Sequence, residues 1–205
     1  MLTATYTLVA LSVEQASVRV SLQSLQKLVP SNFANKVALT PGQVSYVCDA
    51  LHRLFHNCHW RKIDIFLIPA IRRATSQANS LLDELDALSD AAGQAIAGVV
   101  ARVNAGPLDG EGAVRQFCRG INEFCDAMLC RLEREEDELF SLARIVISGE
   151  EWFAVANQML VHDAYRQENR PARDVPGAAA AEISEPVHAE AVRAAERRQA
   201  AWAAW

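Results

Sequence analysis

An all-α fold is predicted for this chain: an up-down-up-down antiparallel four-helix bundle with a short fifth helix and a flexible C-terminal tail. Three features of the 205-residue sequence predict it. Four long segments repeat apolar residues every three or four positions, and no segment alternates as a half-buried strand does. The breaks between the four are short, which favours antiparallel neighbours. The bundle is expected over residues 1–166 and the tail over 167–205.

In the first helix Leu8, Leu11, Val18, Leu22, Leu25 and Val29 form the stripe, and Pro30 is expected to close it. Gln15 fills the slot between Leu11 and Val18, a polar residue on an apolar seam. The second helix opens at Thr40-Pro41-Gly42-Gln43, which has capping-box spacing with proline at the first helical position. Its stripe is read through Val44, Cys48, Leu51, Phe55, His59 and Phe66 toward Pro69. The third uses Ala78, Leu81, Leu85, Leu88, Ala92, Ala95 and Val99, and breaks at Asn104-Ala105-Gly106-Pro107. The fourth uses Val114, Phe117, Ile121, Phe124 and Met128, and then the same stripe meets Arg131 and Glu135. Two charges four residues apart on a core seam require partners inside the protein. A fifth helix starts at the capping box Ser148-Gly149-Glu150-Glu151, with Trp152 and Phe153 just inside.

From about Gln167 the composition turns to proline, alanine and scattered charge, the pattern of a linker. The last residues favour a short terminal helix carrying Trp202 and Trp205. There is no internal repeat at a solenoid period.

Composition narrows the function. Hydrophobic residues make up 51% and charged residues 22%, as in ordinary globular proteins. A net charge of −5 argues against a nucleic-acid surface, which needs a basic face. No apolar run reaches the roughly 18 residues of a membrane span, and MLTATYTLVALSVEQ has no basic region of a secretory signal. Five cysteines at irregular spacings fit a reducing cytoplasm better than a disulfide framework. No phosphate-binding glycine loop, Gly-x-Ser-x-Gly turn or Cys-x-x-Cys-His haem motif occurs.

The second and fourth helices share a pattern. His59-x-x-x-Ile63-Asp64-x-x-Leu67-Ile68-Pro69 resembles the hemerythrin-like signature His-x-x-x-Glu-Glu/Asp-x-x-Leu-Phe-Pro. Arg131-x-x-x-Glu135-Glu136-x-x-Leu139-Phe140 resembles its second copy. Glu14-Gln15 and Glu84-Leu85 fall where the first and third helices of that family offer an acid followed by histidine. The resemblance spans roughly residues 5–162. It implies a di-iron centre held by inward-facing histidines and carboxylates, binding oxygen or similar small molecules.

Carried over residue by residue, most of that ligand set is missing. The histidine positions hold Gln15, His59, Leu85 and Arg131, and the glutamate positions hold Ile63 and Glu135. Two of six remain. Divalent metals need several nitrogen or oxygen donors, and a guanidinium is permanently charged and donates only N–H. No cofactor is therefore expected. The residues suit a polar core instead, with Arg131 paired to Glu135 or reaching Gln15, and His59 donating to Glu135. The reading is a non-enzymatic binding or regulatory protein of the cytoplasm. Its unknown protein partner would dock on the fifth helix or the tail, with no nucleic acid and no membrane involved, and the oligomeric state stays open. The alternative is a metal or haem protein binding oxygen, nitric oxide or iron through an unusual ligand set: iron, zinc or haem held by His52, His56, His59 and Glu135. A third class is a thiol redox protein using Cys118, Cys125 or Cys130.

Overall fold

The computed structural model describes residues 2–33, 36–59 and 61–168, apart from the side chains of Pro30 and His59. The expected tail, with Trp202 and Trp205, lies outside the described residues. The chain divides into two compact units, Met1–Ala156 and one beginning at Asn157.

Among the described residues the structure is helical, without strands. Helix α1 spans Leu2–Phe33, α2 Pro41–His59, α3 Ile68–Ala74, α4 Asn79–Asn104, α5 Glu111–Arg134, α6 Phe140–Val146 and α7 Gly149–Glu168. A π-helical turn, Ile63–Leu67, leads into α3, and a second, Glu135–Leu139, joins α5 to α6. Within the first unit α5 packs on both α4 and α1, α1 also packs on α2, and α3 touches α6.

The stripes explain the packing. Leu8, Leu11, Val18, Leu22, Leu25 and Val29 are buried along α1, with Gln15 buried among them. Pro30 does not end this helix, which continues to Phe33. A proline removes one backbone donor, but the turn beyond it buries Phe33 beside the seam's last member, Val29. On α4 the buried residues are Leu82, Leu85, Ala92, Ile96 and Val99. Helix α5 approaches α4 closely at Gly120, where an added Cβ would stand 2.7 Å from Val99 Cγ2.

Both capping boxes form. Thr40 Oγ1 accepts from the Gln43 N–H at 3.3 Å while the Thr40 N–H donates to Gln43 Oε1 at 3.0 Å. Ser148 and Glu151 exchange the same bonds at 3.2 and 3.3 Å. The loops before α2 and before α5 meet in one isolated antiparallel bridge, Ala38–Asp109.

Candidate functional site: a buried arginine–carboxylate cluster

A buried stripe that ends in a charge must supply it with partners. On α5, Val114, Phe117, Ile121, Phe124 and Met128 lead into Arg131 and Glu135, which are 5% and 0% exposed. On α2 the buried stripe is Val47, Leu51, Leu54 and Cys58, and its next member is Arg61, with no exposed surface at all. This corrects the stripe read through Val44, Cys48, Phe55 and His59: the first three are only half-buried. Stripes one residue apart differ by about 100° around a helix, and pattern alone passes over an arginine in favour of apolar neighbours and a histidine.

Glu135 is the hub. Arg61 donates to it through a two-pronged fork, Nη1 to Oε2 and Nη2 to Oε1, each at 2.6 Å. Arg131 adds Nε to Oε1 at 2.9 Å, and Gln15 adds Nε2 to Oε2 at 2.7 Å. Four N–H donors thus occupy the roughly four lone-pair directions of one carboxylate. Arg61 is aimed by a bond from Nε to the Cys58 carbonyl at 3.1 Å, and its Nη2 lies 3.2 Å from Asp64 Oδ2. Arg131 directs its remaining groups to Ser89 Oγ and Asp64 Oδ1.

The local backbone prepares this arrangement. Helix α2 stops at His59, and Arg61 lies outside helical structure before the first π turn begins. The carbonyl of Arg61 accepts the N–H groups of Asp64 and Ile65 at 3.0 and 3.2 Å. The Lys62 N–H, an orphan donor of the new helical start, donates to Glu14 Oε2 on α1 at 3.0 Å. That gives Glu14 a capping role from another helix, favourable for an acid at a helix N-terminus.

Two guanidinium groups and two carboxylates make the cluster neutral. Burial works against the Arg61 charge, but Asp64 and Glu135 outweigh it and hold the guanidinium above its ordinary pKa. Such a cluster adds little net stability as a whole, because desolvation offsets attraction, yet losing one member is costly. It ties α1, the α2–α3 connection and α5 to one carboxylate, and α4 joins through Ser89, which accepts from Arg131.

The other expected site residues fall as follows. Ile63 and Leu85 are fully buried, and neither can ligate anything. The His59 side chain lies outside the described residues; the acceptor directions it was expected to use on Glu135 are filled by Arg61, Arg131 and Gln15. Arg131 does not reach Gln15, since both donate to Glu135. His52 and His56 are exposed while Glu135 is fully buried, so the set proposed for zinc or haem does not share one environment. Of the cysteines, Cys130 is exposed, Cys118 half-buried and Cys125 buried. Burial pushes the Cys58 and Cys125 thiols up to about 12, which disfavours thiolate chemistry. Sequence reasoning missed Arg61, Asp64 and Ser89. Arg61 carried a signal: it continues the spacing of Val47, Leu51, Leu54 and Cys58.

The residues do not fit a di-iron centre. A cation would face two fixed positive charges, and like charges 4 Å apart repel by about 4 kcal/mol at an effective dielectric near 20. Among the described residues no group of three or more His, Cys, Asp or Glu is placed to hold a metal ion, and no helix is long and apolar enough to cross a membrane. No protein-family model, no curated protein and no solved structure matches the chain.

Proposed function

We propose that this protein is a hemerythrin-like, up-down four-helix bundle in which covalently attached cations replace the metal centre, and that it acts as a non-catalytic binding or regulatory protein. The observation that carries this reading is the fully buried Glu135, the glutamate of the second signature copy, accepting from Arg61, Arg131 and Gln15. Two of those three donors, Gln15 and Arg131, stand at positions where the resemblance implies metal-binding histidines. The cluster fixes how the helices meet and leaves no free base or nucleophile at its centre. Function then resides on the surface that this rigid core supports.

The test is metal content and visible absorption of protein purified from iron-replete cells. The expected result is no stoichiometric iron and no oxo-bridge or haem band. One or two irons per chain would overturn the proposal. Ile63→Glu alone is expected to leave the protein without iron, because Gln15, Leu85 and Arg131 still supply no histidine.

A further inference from the structure

Helix α1 carries a second stripe. Leu2, Tyr6, Val9, Val13 and Val20 are 74, 69, 55, 67 and 61% exposed. With exposed Ala16 they recur at steps of four, three, four, three and four residues, a knobs-into-holes seam about 27 Å long at about 1.5 Å per residue. At about 100° per residue this seam lies opposite the buried one. No charged residue occurs from Leu2 to Val13. The first two charges, Glu14 and Arg19, are half-buried and engaged with Lys62 and Glu136. The outer face of α5 is different, with Glu111, Arg115, Arg119, Glu123 and Asp126 all exposed. Charge depletion with an aromatic and branched aliphatics is the composition of an interface core.

The stripe also identifies its occupant. Its spacing reads the same from either end. Turned about residue 11, Leu2 meets Val20, Tyr6 meets Ala16 and Val9 meets Val13, so the largest side chain faces the smallest. We propose that this face binds the same face of a second copy of the chain, α1 against α1 in antiparallel register, forming a two-fold dimer. A parallel pair would oppose Tyr6 to Tyr6 and leave a gap at Ala16, and would align the helix dipoles unfavourably. Only Tyr6 belongs to the class of about 150–250 Å² side chains; with the smaller Leu2 and the three valines the exposures place on the order of 500 Å² of apolar surface on each copy. Two copies then remove at most about 1,000 Å², the lower bound for a biological interface and short of the roughly 1,200–2,000 Å² of a stable one, which makes the dimer weak and concentration-dependent.

Sedimentation equilibrium of the full chain over a wide concentration range tests this. The wild type is expected to approach twice the 22.5 kDa chain mass, and Val9→Lys and Val13→Glu are each expected to sediment as monomers with unchanged helical circular dichroism. The double variant Val9→Lys/Val13→Glu should recover the dimer, because antiparallel pairing sets each lysine against a glutamate. A wild type that stays monomeric throughout, single variants that remain dimeric, or a double variant that stays monomeric would each overturn the proposal.

Discussion

The run from α2 to α3 and the run from α5 to α6 are two versions of one design. Their buried seams march in step: Val47, Leu51, Leu54, Cys58 and Arg61 in the first, Phe117, Ile121, Phe124, Met128 and Arg131 in the second. Each then passes through a five-residue π turn into a seven-residue helix that ends in an extended residue, Thr75 or Ile147. The difference lies between the arginine and the π turn. Arg131 stays in a continuous helix, with Glu135 four residues on. Arg61 follows a break, and its π turn starts only two residues later, at Ile63. The unbroken run carries its own counter-charge on the seam; the broken run has isoleucine at its π-turn start, and its arginine reaches across to the other run's glutamate. One carboxylate serves both halves, and Arg61, outside helical structure, meets it with the full fork. π turns recur at functional sites because they re-aim side chains within a helix.

This asymmetry ranks the expected stability effects. Glu135→Leu leaves two buried guanidinium groups with only Asp64, and is expected to cost about 3–5 kcal/mol in denaturant unfolding. Arg61→Met and Arg131→Met should each cost less, since Glu135 keeps one arginine and Gln15. In double-mutant cycles the Arg61–Glu135 coupling is expected to exceed the Arg131–Glu135 coupling, both within about 0.5–3 kcal/mol. The ground is geometric: Arg61 makes two bonds to Glu135 and Arg131 makes one. Equal couplings, or the reverse order, would show that the two halves share the carboxylate evenly.

Asp64 offers a smaller test of the same comparison. Its side chain is 23% exposed, and it touches both arginines. Asp64→Asn removes one negative charge at the edge of the cluster and keeps a polar group there. An expected loss of about 1 kcal/mol follows from a partly solvated partner; a loss as large as that of Glu135→Leu would make Asp64 a second hub.

How much of this was legible in the sequence depends on whether periodicity or chemistry marks a residue. The inner stripes of α1 and α5, the capping boxes, and the conflict of Arg131 and Glu135 with an apolar seam all follow from spacing. Arg61 also continues the spacing of the buried α2 stripe, but the resemblance and the apolar pattern both select His59, two residues earlier. The π turns are illegible, since no residue type specifies a bond from residue i+5 back to i. Asp64 stands three residues after Arg61 and inside the first signature copy, but nothing there marks it as a partner of two arginines; Ser89 joins through tertiary contact alone. Pro30 misleads because the helix continues past it to a buried Phe33. The outer stripe of α1 satisfies the same spacing rule as the inner one, and only burial tells the two apart.

The finest contrast between the two runs is Cys58, which stands in step with Met128. Both side chains are buried, but a thiol can titrate and a thioether cannot. Burial holds Cys58 at about 12 against an ordinary 9.0, and Arg61 and Arg131 nearby only partly offset it. Between those two values the folded protein keeps a proton that the unfolded chain releases. This thiol therefore leaves stability unchanged below about pH 9 and lowers it as pH rises toward about 12. Cys58→Val should make that alkaline decline shallower, whereas Met128→Leu should leave its slope unchanged. Thiol labelling of the folded protein near neutral pH supplies the control: exposed Cys130 should react, and Cys58 and Cys125 only after denaturation. Fast labelling of Cys58 in the folded state would mean that the α2 seam opens next to Arg61, and the broken run would then be the weaker half of the core.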